Sequence, residues 1–214
     1  MASAHLHAVP KAADLVEFYA ETQLPTRHGL LRALVFREIG TGKEHVVAVK
    51  GELRGQEGVP VRVHSECLTS EILGSLKCDC REQLEAALDL IGRSERGAVI
   101  YLRQEGRGIG LGNKIRAYAL QARGADTYEA NRALGFGDDL RRYGIAAQML
   151  EHLGVRSIDL ITNNPLKIEG LEGEGVVIRR RIPSPAPSNP HNIGYLRTKR
   201  ERTGHLIELE KTPA

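Results

Sequence analysis

All three cysteines of this chain lie in one short stretch, and their number and spacing are typical of a metal site. Cys67, Cys78 and Cys80 fall within 14 residues in the pattern C-x10-C-x-C. Structural zinc usually has four protein ligands, whereas catalytic zinc usually has three and keeps one position for water. The cysteines therefore predict one catalytic Zn²⁺ per chain. Two alternatives stay open: His64 as a fourth ligand would make the site structural, and buried or disulfide-bonded cysteines would need no metal.

A glycine-rich segment, residues 104–114, lies between a predicted strand and a predicted helix. It has glycine at four alternate positions, Gly106, Gly108, Gly110 and Gly112. Backbone amides in such a loop, together with a helix N-terminus, can bind an anion. Arg107 and Lys114 would add positive charge for phosphate groups. The segment matches neither the Rossmann nor the P-loop pattern, and an ordinary flexible turn is the alternative.

Whether the other polar residues can meet depends on the helices, strands or loops on which they lie. Asp139 and Arg141 are two residues apart, so they would meet only in a loop or a first helical turn. Tyr118 follows Lys114 by four residues, which places both on one helix face. Thr162 and Lys167 flank a predicted strand-to-helix junction, where ligand sites often gather. Each of these features has an alternative without a function. Asp139 and Arg141 would belong to a surface turn with an Asp cap, Tyr118 would only pack against its neighbours, and Thr162 and Lys167 would belong to a plain strand-to-helix connection.

The order of the predicted elements indicates a mixed α/β domain. Strands are expected at about 30–39, 45–50 and 60–64, with glycine-containing turns between them. From Arg81 the pattern alternates between helices and strands, with strands at about 98–102, 157–161 and 176–180. Helices are expected to start near 81 and at about 113–123, 143–152 and 165–171, and a polar surface helix at about 192–202. Residues 1–21 read as an N-terminal extension with a short helix near 13–20.

Composition excludes several classes of function. The 214 residues carry a net charge of +3 and only 4% aromatic residues, with no Trp, which argues against a nucleic-acid-binding surface. No signal peptide is apparent and no apolar run has the roughly 18 residues of a membrane span. Unpaired thiols in such a chain predict a cytoplasmic protein.

Six segments together resemble the GTP cyclohydrolase II family. They are Arg62-Val-His-Ser-Glu-Cys67, Cys78-Asp-Cys80, Gln104-Glu-Gly-Arg107, Asn113-Lys-Ile-Arg-Ala-Tyr118, Glu129-Ala-Asn131 and Thr162-Asn-Asn-Pro165. The resemblance implies a catalytic domain at residues 22–207, a C-terminal tail at 208–214, a mixed sheet that follows an N-terminal β-hairpin region, and a homodimer. The larger domain that makes dihydroxybutanone phosphate, fused to this enzyme in some organisms, is absent from the sequence.

The resemblance also assigns roles to particular residues. Cys67, Cys78 and Cys80 match the zinc ligands, Asp139 the general base, Arg141 a nucleophile toward the α-phosphate, and Tyr118 a tyrosine that serves chemistry at the purine ring. The positions that match GTP-binding residues are Arg62, Val63, His64, Ser65, Glu66, Gln83, Glu105, Gly106, Arg107, Thr127, Thr162 and Lys167. Mg²⁺ is expected with the triphosphate. Because the pKa of arginine exceeds about 12, charge stabilisation by Arg141 is a plainer alternative to nucleophilic attack.

The activity that the resemblance implies is hydrolysis of a cyclic amidine at the start of riboflavin synthesis. GTP would be opened at C8 with release of formate and pyrophosphate, giving 2,5-diamino-6-(5-phosphoribosylamino)pyrimidin-4(3H)-one. Two other readings stay open. The chain would be either a relative that stops at the formamide or a zinc-stabilised protein that binds GTP without turnover.

Overall fold

The strands of the chain form one mixed sheet. The computed structural model describes residues 14–125, 127–137, 139–185 and 187–207, and for 127 and 128 the backbone alone. Within these residues seven strands pair in the order β1-β2-β3-β5-β4-β6-β7. Their bounds are β1 Val16–Thr26, β2 Gly29–Glu38, β3 Glu44–Lys50, β4 Val59–Ser65, β5 Gly97–Leu102, β6 Ile158–Ile161 and β7 Ile178–Ile182.

The direction of pairing changes within this sheet. Strands β1, β2, β3 and β5 pair antiparallel. Strands β5, β4, β6 and β7 pair parallel, so their carboxyl ends lie at one edge. Ligand sites in sheets with parallel strands gather at this edge.

Helices cover both faces of the sheet. Their bounds are α1 Leu68–Glu71, α2 Cys80–Arg93, α3 Leu111–Gln121, α4 Thr127–Ala133, α5 Gly144–Leu153, α6 Pro165–Gly173 and α7 Ile193–Thr203. The larger apolar core joins α5 and α6 to side chains such as Val61, Ile100 and Leu160. A smaller core joins α2 to the opposite face at Val99 and Ile161. Successive side chains of β5 point to opposite faces of the sheet, so this strand is buried on both sides.

The predicted fold class is confirmed, and so are several element boundaries. The hairpin region, the central helix after Cys80 and the helix that ends at Gly154 are all present, and Gly154 adopts the left-handed conformation with φ 68°. Asn164 caps α6 by accepting a hydrogen bond from the backbone N–H of Leu166, as its place before Pro165 favours. The short helices α1 and α4 were not predicted, because neither has a full apolar period.

Two expectations about the ends of the chain are wrong. The helix expected near residues 13–20 is a strand from Val16 onward, because its backbone pairs with β2 over the whole length of the hairpin. Phe18 also packs edge-on against Phe36 of β2, with ring centroids 5.8 Å apart. Packing thus overrides the helical preference of the local sequence. The helix expected to lie on the surface, α7, instead buries Leu196 and Lys199.

The division of the chain at residue 21 stays a prediction. Strand β1 crosses this position, and residues 1–13 and 208–214 lie outside the described residues. In the described part of the chain, no helix combines the length and apolar character that crossing a membrane requires.

Candidate active site

A cavity of about 320 Å³ opens where the parallel strands β4, β5 and β6 end. Many of the predicted site residues line this cavity, and most of them belong to the ends of these strands or to the segments that follow. They are Arg62, His64, Ser65, Glu66 and Cys67 from β4 and the turn after it, Glu105, Gly106 and Arg107 after β5, and Thr162 and Lys167 after β6. Cys78, Cys80, Gln83, Tyr118 and Arg141 also line this cavity, whereas Asp139 lines a neighbouring one that shares Arg107 and Arg141.

The three cysteines form a compact cluster suited to a metal ion. All are free thiols, and their sulfur atoms lie within 4.8 Å of one another. Cys67 Sγ and Cys78 Sγ are 3.7 Å apart, close to the roughly 3.8 Å edge of a tetrahedron with zinc–sulfur bonds of about 2.3 Å. Among the described residues no His, Asp or Glu joins the cluster.

His64 has a different partner from the one considered in the sequence. Its Nε2 atom lies 2.7 Å from Oε1 of Glu71, and its ring stacks on that of Tyr101. Burial lowers the pKa of His64 to about 4, although Glu71 opposes the shift. The imidazole is therefore neutral at pH 7 with Nε2 directed at a carboxylate, and it does not belong to the group of side chains placed to hold a metal ion.

Lys114 lies against the cysteines and not in a phosphate loop. Its Nζ donates to Sγ of Cys67 at 3.0 Å and to Oε1 of Glu105 at 2.7 Å. Hydrogen bonds from Cys78 and Cys80 lower the pKa of Cys67, and Lys114 lowers it further. The expectation that Lys114 serves phosphates is wrong, because helix α3 directs its side chain into the buried cluster. Its ammonium stabilises the thiolate form of Cys67.

The end of strand β4 presents polar atoms without partners. Among the described residues, Nε of Arg62, Nδ1 of His64 and Oγ of Ser65 are buried and accept or donate no hydrogen bond. Buried polar atoms are usually paired, so unpaired ones that border a cavity indicate a ligand. Val63 differs, since its side chain is in the core and only its carbonyl oxygen faces the site, where it accepts from Nζ of Lys167.

The glycine-rich segment forms a tight turn at residues 105–110, called here the glycine turn. Arg107 has φ 60°, and it is the one non-glycine residue with positive φ in the described part of the chain. The carboxylate of Glu105 accepts from the backbone N–H groups of Gly106 at 2.8 Å and Leu68 at 2.7 Å. Glu105 therefore ties the glycine turn to the start of α1, beside Cys67.

Asp139 and Arg141 converge in a loop, as their spacing requires. Nε of Arg141 donates to Oδ1 and Oδ2 of Asp139 at 2.8 and 3.0 Å. Burial alone would raise the pKa of Asp139, but the hydrogen bonds from Arg141 lower it overall. Leu140 between them donates its backbone N–H to the carbonyl of Arg107 at 3.0 Å. The pair is thus an ionised fork held against the glycine turn.

Lys167 is a buried lysine at the N-terminus of α6. It is only 4% exposed. Burial lowers its pKa well below the ordinary value, and the neighbouring cations Arg62 and Arg141 lower it further. Thr162 accepts a hydrogen bond from the N–H of Asn164 at 3.0 Å, which orders the junction. A polyanion in the cavity would relieve the repulsion among these cations.

The remaining predicted residues take up positions around this centre. Burial raises the pKa of Tyr118, so its phenol stays protonated at neutral pH. Gln83 accepts from Arg62 at 2.5 Å, and Glu66 accepts from Arg103 at 2.6 Å. Thr127 begins α4, and its side chain lies outside the described atoms.

Sequence reasoning missed the contribution of the C-terminal segment to the site. Tyr195, Thr198 and Lys199 of α7 and His205 beyond it line the cavity. Lys199 donates to Oδ1 of Asp79 at 2.8 Å. The only local signal was a lysine four residues after a tyrosine in a polar helix, which is also typical of a solvated surface.

Comparison with known proteins identifies one family. Residues 17–183 match the family model described as GTP cyclohydrolase II. The chain is 52% identical over 193 residues to a GTP cyclohydrolase-2 from Teredinibacter turnerae, covering 90% of this chain and 97% of that one. It is 54% identical over 194 residues to a GTP cyclohydrolase-2 from Azotobacter vinelandii, covering 90% and 92%.

Longer relatives also match. The riboflavin biosynthesis protein RibBA from Endomicrobium trichonymphae is 51% identical over 185 residues, which are 86% of this chain. The chain spans only 46% of that protein, about half its length.

Proposed function

Because the chain belongs to the GTP cyclohydrolase II family, we propose that it hydrolyses GTP at C8 with release of formate and pyrophosphate. The family and the riboflavin context come from the matches, which include GTP cyclohydrolase-2 relatives of nearly the same length. The observation that carries the proposal is that the three cysteine sulfurs border the same cavity as Arg141 and the unpaired polar atoms of β4. The candidate metal site and the candidate phosphate-binding residues thus border the same cavity.

Cys67, Cys78 and Cys80 would hold Zn²⁺. When bound, Zn²⁺ would supply a Lewis acid and an activated water for attack at C8. Lys114 would offset the charge of the thiolates through its contact with Cys67. This arrangement favours a three-cysteine site with an open position, which suits a hydrolytic metal better than a structural one.

Tyr118 would serve as a proton donor near the purine ring. Its phenol is kept protonated by burial, and a protonated group can donate but cannot act as a base. General acid catalysis by one positioned group contributes about 10²–10⁴-fold. We assign Tyr118 to the second step at C8, in which the formamide loses formate.

The triphosphate would occupy the cationic side of the cavity. Arg107, Arg141 and Lys167 surround this side, and Mg²⁺ would accompany the phosphates. Asp139 stays ionised through its fork with Arg141, so it can accept the proton of a water molecule that attacks the α-phosphate while pyrophosphate leaves. Since the guanidinium keeps its proton, Arg141 stabilises negative charge at the α-phosphate in this proposal.

A homodimer is part of the proposal. Ile72, Leu73 and Leu76 follow α1 beside the cysteines, and the first two are 75% and 71% exposed in the single chain. Large apolar side chains exposed side by side indicate a surface that another protein covers. A second copy of the chain is the occupant we propose.

The test is incubation of purified protein with GTP and Mg²⁺, with zinc content measured by elemental analysis and products identified by mass. We expect formate, pyrophosphate and the diaminopyrimidine product, with one zinc per chain. In the same assay Tyr118→Phe should slow formate release more than ring opening, so that the formamide accumulates. Equal slowing of both steps would remove Tyr118 from the chemistry.

The same assay separates the alternatives. A formamide as the final product of the unaltered protein would indicate a relative that stops after ring opening. GTP binding without formate or pyrophosphate would indicate a binding protein and would overturn the proposal.

A further inference from the structure

We propose that helix α7 is a wall of the GTP site and that Lys199 is a positioning residue that ties this wall to the cysteines. The inference rests on the proposed function. Helix α7 lies beyond the segment that matches the family model, and the sequence alone indicates a polar surface helix. In the structure its Tyr195, Thr198 and Lys199 face the cavity together with Cys78 and Cys80.

A chain of buried and partly buried hydrogen bonds connects α7 to strand β4. Lys199 Nζ donates to Oδ1 of Asp79 at 2.8 Å, and Oδ2 of the same carboxylate accepts from Nε2 of Gln83 at 2.6 Å. Gln83 in turn accepts from Arg62 at 2.5 Å. Asp79 lies between Cys78 and Cys80 and is fully buried. Movement of Lys199 would therefore be transmitted to two cysteines and to Arg62.

The form of this contact favours a positioning role. A buried ion pair pays a desolvation cost that apolar side chains of similar size would avoid, so it is a poor device for stability alone. Directional bonds to both carboxylate oxygens fix the rotation of Asp79 between its two cysteine neighbours. The centroid of the Tyr195 ring lies 4.4 Å from Lys199 Nζ, within the range of a cation–π interaction that also holds the ammonium.

Helix α7 is held in place by one buried apolar side chain and by hydrogen bonds on both sides of the helix. Leu196 is completely buried, and Asn192 before the helix donates to the carbonyl of Pro187 at 3.1 Å. After the helix, the N–H of Leu206 donates to the carbonyl of Asn163 at 2.9 Å, beside the end of β6. The C-terminal attachment thus reaches Asn163, which lines the cavity.

The far end of α7 reaches a second cavity rich in arginine. This cavity, of about 360 Å³, is lined by Arg107, Arg132 and Arg141, by the carboxylate of Asp139 and, from the C-terminal segment, by Arg202 and His205. His205 and Arg141 line both cavities. Helix α7 thus borders both the cavity that contains the cysteines and the second, arginine-rich cavity. This arrangement matches a ligand with a base at one end and phosphates at the other.

The first test needs no variant. Hydrogen exchange of backbone amides in residues 193–203 is measured on the zinc-loaded protein with Mg²⁺, with and without α,β-methylene-GTP, whose binding is followed by calorimetry. We expect exchange in α7 to slow at least tenfold on binding. Unchanged exchange in α7 while calorimetry reports binding would overturn the inference.

The second test compares Lys199→Met with Arg200→Met, which changes an exposed residue of the same helix. We expect kcat/KM for formate release to fall at least tenfold in Lys199→Met, with KM raised, and to stay within twofold in Arg200→Met. Lys199→Arg should recover part of the loss, because it restores a cation to Asp79. Equal behaviour of the two Met variants would overturn the role of Lys199.

A folding defect and a failure of the proposed function give different results. If Lys199→Met does not fold, the double variant Asp79→Asn, Lys199→Met removes both charges and is measured instead; kcat/KM within twofold of the unaltered protein contradicts the inference. If the unaltered protein makes no formate from GTP, the proposed function fails. Hydrogen exchange in α7 on binding of α,β-methylene-GTP then still decides whether α7 borders the nucleotide site.

Discussion

At the scale of the residue, Lys167 has the most unusual environment of the site. It is buried, its Nζ donates to the backbone of Val63, and Arg62 and Arg141 lie close enough to lower its pKa. A lysine in this setting is poised to gain a proton when negative charge arrives. The triphosphate of GTP would bring that charge.

We therefore predict that GTP binding takes up a proton at Lys167. Its pKa is lowered in the free protein and rises when phosphates bind, so between the two values each bound ligand draws one proton from solution. Affinity should then fall as pH rises, by up to about tenfold per pH unit. Calorimetry with α,β-methylene-GTP in buffers of different ionisation enthalpy measures the uptake.

Lys167→Met is the informative variant for this prediction, and Lys43→Met, in the exposed turn after β2, is the control. The first should lose the proton uptake and the second should keep it. Uptake that persists in Lys167→Met would assign the proton to another group.

At the scale of the element, the glycine turn and the loop of the Asp139–Arg141 fork act as one unit. Gly108 has φ 95°, and a Cβ at this position would lie 2.9 Å from the carbonyl oxygen of Leu140. Both observations require glycine, one for conformation and one for space. The turn therefore sets the position of the fork.

Gly108→Ala should displace the fork and slow pyrophosphate release. Positive φ costs a residue with a Cβ about 1–2 kcal/mol, and a displacement of about 1 Å in a reacting group can cost roughly 10²-fold in rate. Formate release should fall less, because the cysteines, and not the fork, would hold the metal that serves C8. Formate and pyrophosphate are quantified in parallel.

Gly112→Ala is the matched control in the same glycine-rich segment. A Cβ there meets nothing within 4 Å, and the residue lies in α3. This variant should gain about 0.5–1 kcal/mol in free energy of unfolding and keep both rates. If both glycine variants lose pyrophosphate release equally, the close approach to Leu140 is not what positions the fork.

At the scale of the whole molecule, the cores and the cysteine cluster are separate. The larger core joins the sheet to α5 and α6, and neither core cluster contains a cysteine. A chain of this size buries about 70% of its unfolded surface without help from a metal. Zinc would therefore be needed for chemistry and not for the fold.

Removal of zinc by a chelator should abolish formate release while the far-UV circular dichroism spectrum stays unchanged. The ligand still stabilises the folded state by mass action, by about 4 kcal/mol when free zinc is a thousandfold above Kd. For a chain of this length, Tm should fall by roughly 8–16 °C. Loss of the circular dichroism signal at 25 °C would make the metal structural. Cys78→Ser is expected to reproduce the effect of chelation.

The sequence by itself determined the family, the candidate metal-binding cysteines and most of the helices and strands after β1. Three cysteines in 14 residues indicate a metal site whatever the fold. The spacing of Asp139 and Arg141 predicted that they would meet in a loop or a first helical turn, and they meet in a loop. Alternation of apolar residues indicated most strands. These features depend on neighbours in the chain, so a local reading finds them.

Only the tertiary structure decided which distant residues meet. Lys114 contacts Cys67 across 47 residues, and Lys199 contacts Asp79 across 120. A long flexible lysine in a polar helix has the same local pattern whether it faces water or a buried carboxylate, and the pairing of β1 likewise depends on β2. The sheet brings the ends of β4, β5 and β6 to one edge, and that geometry selected the partners.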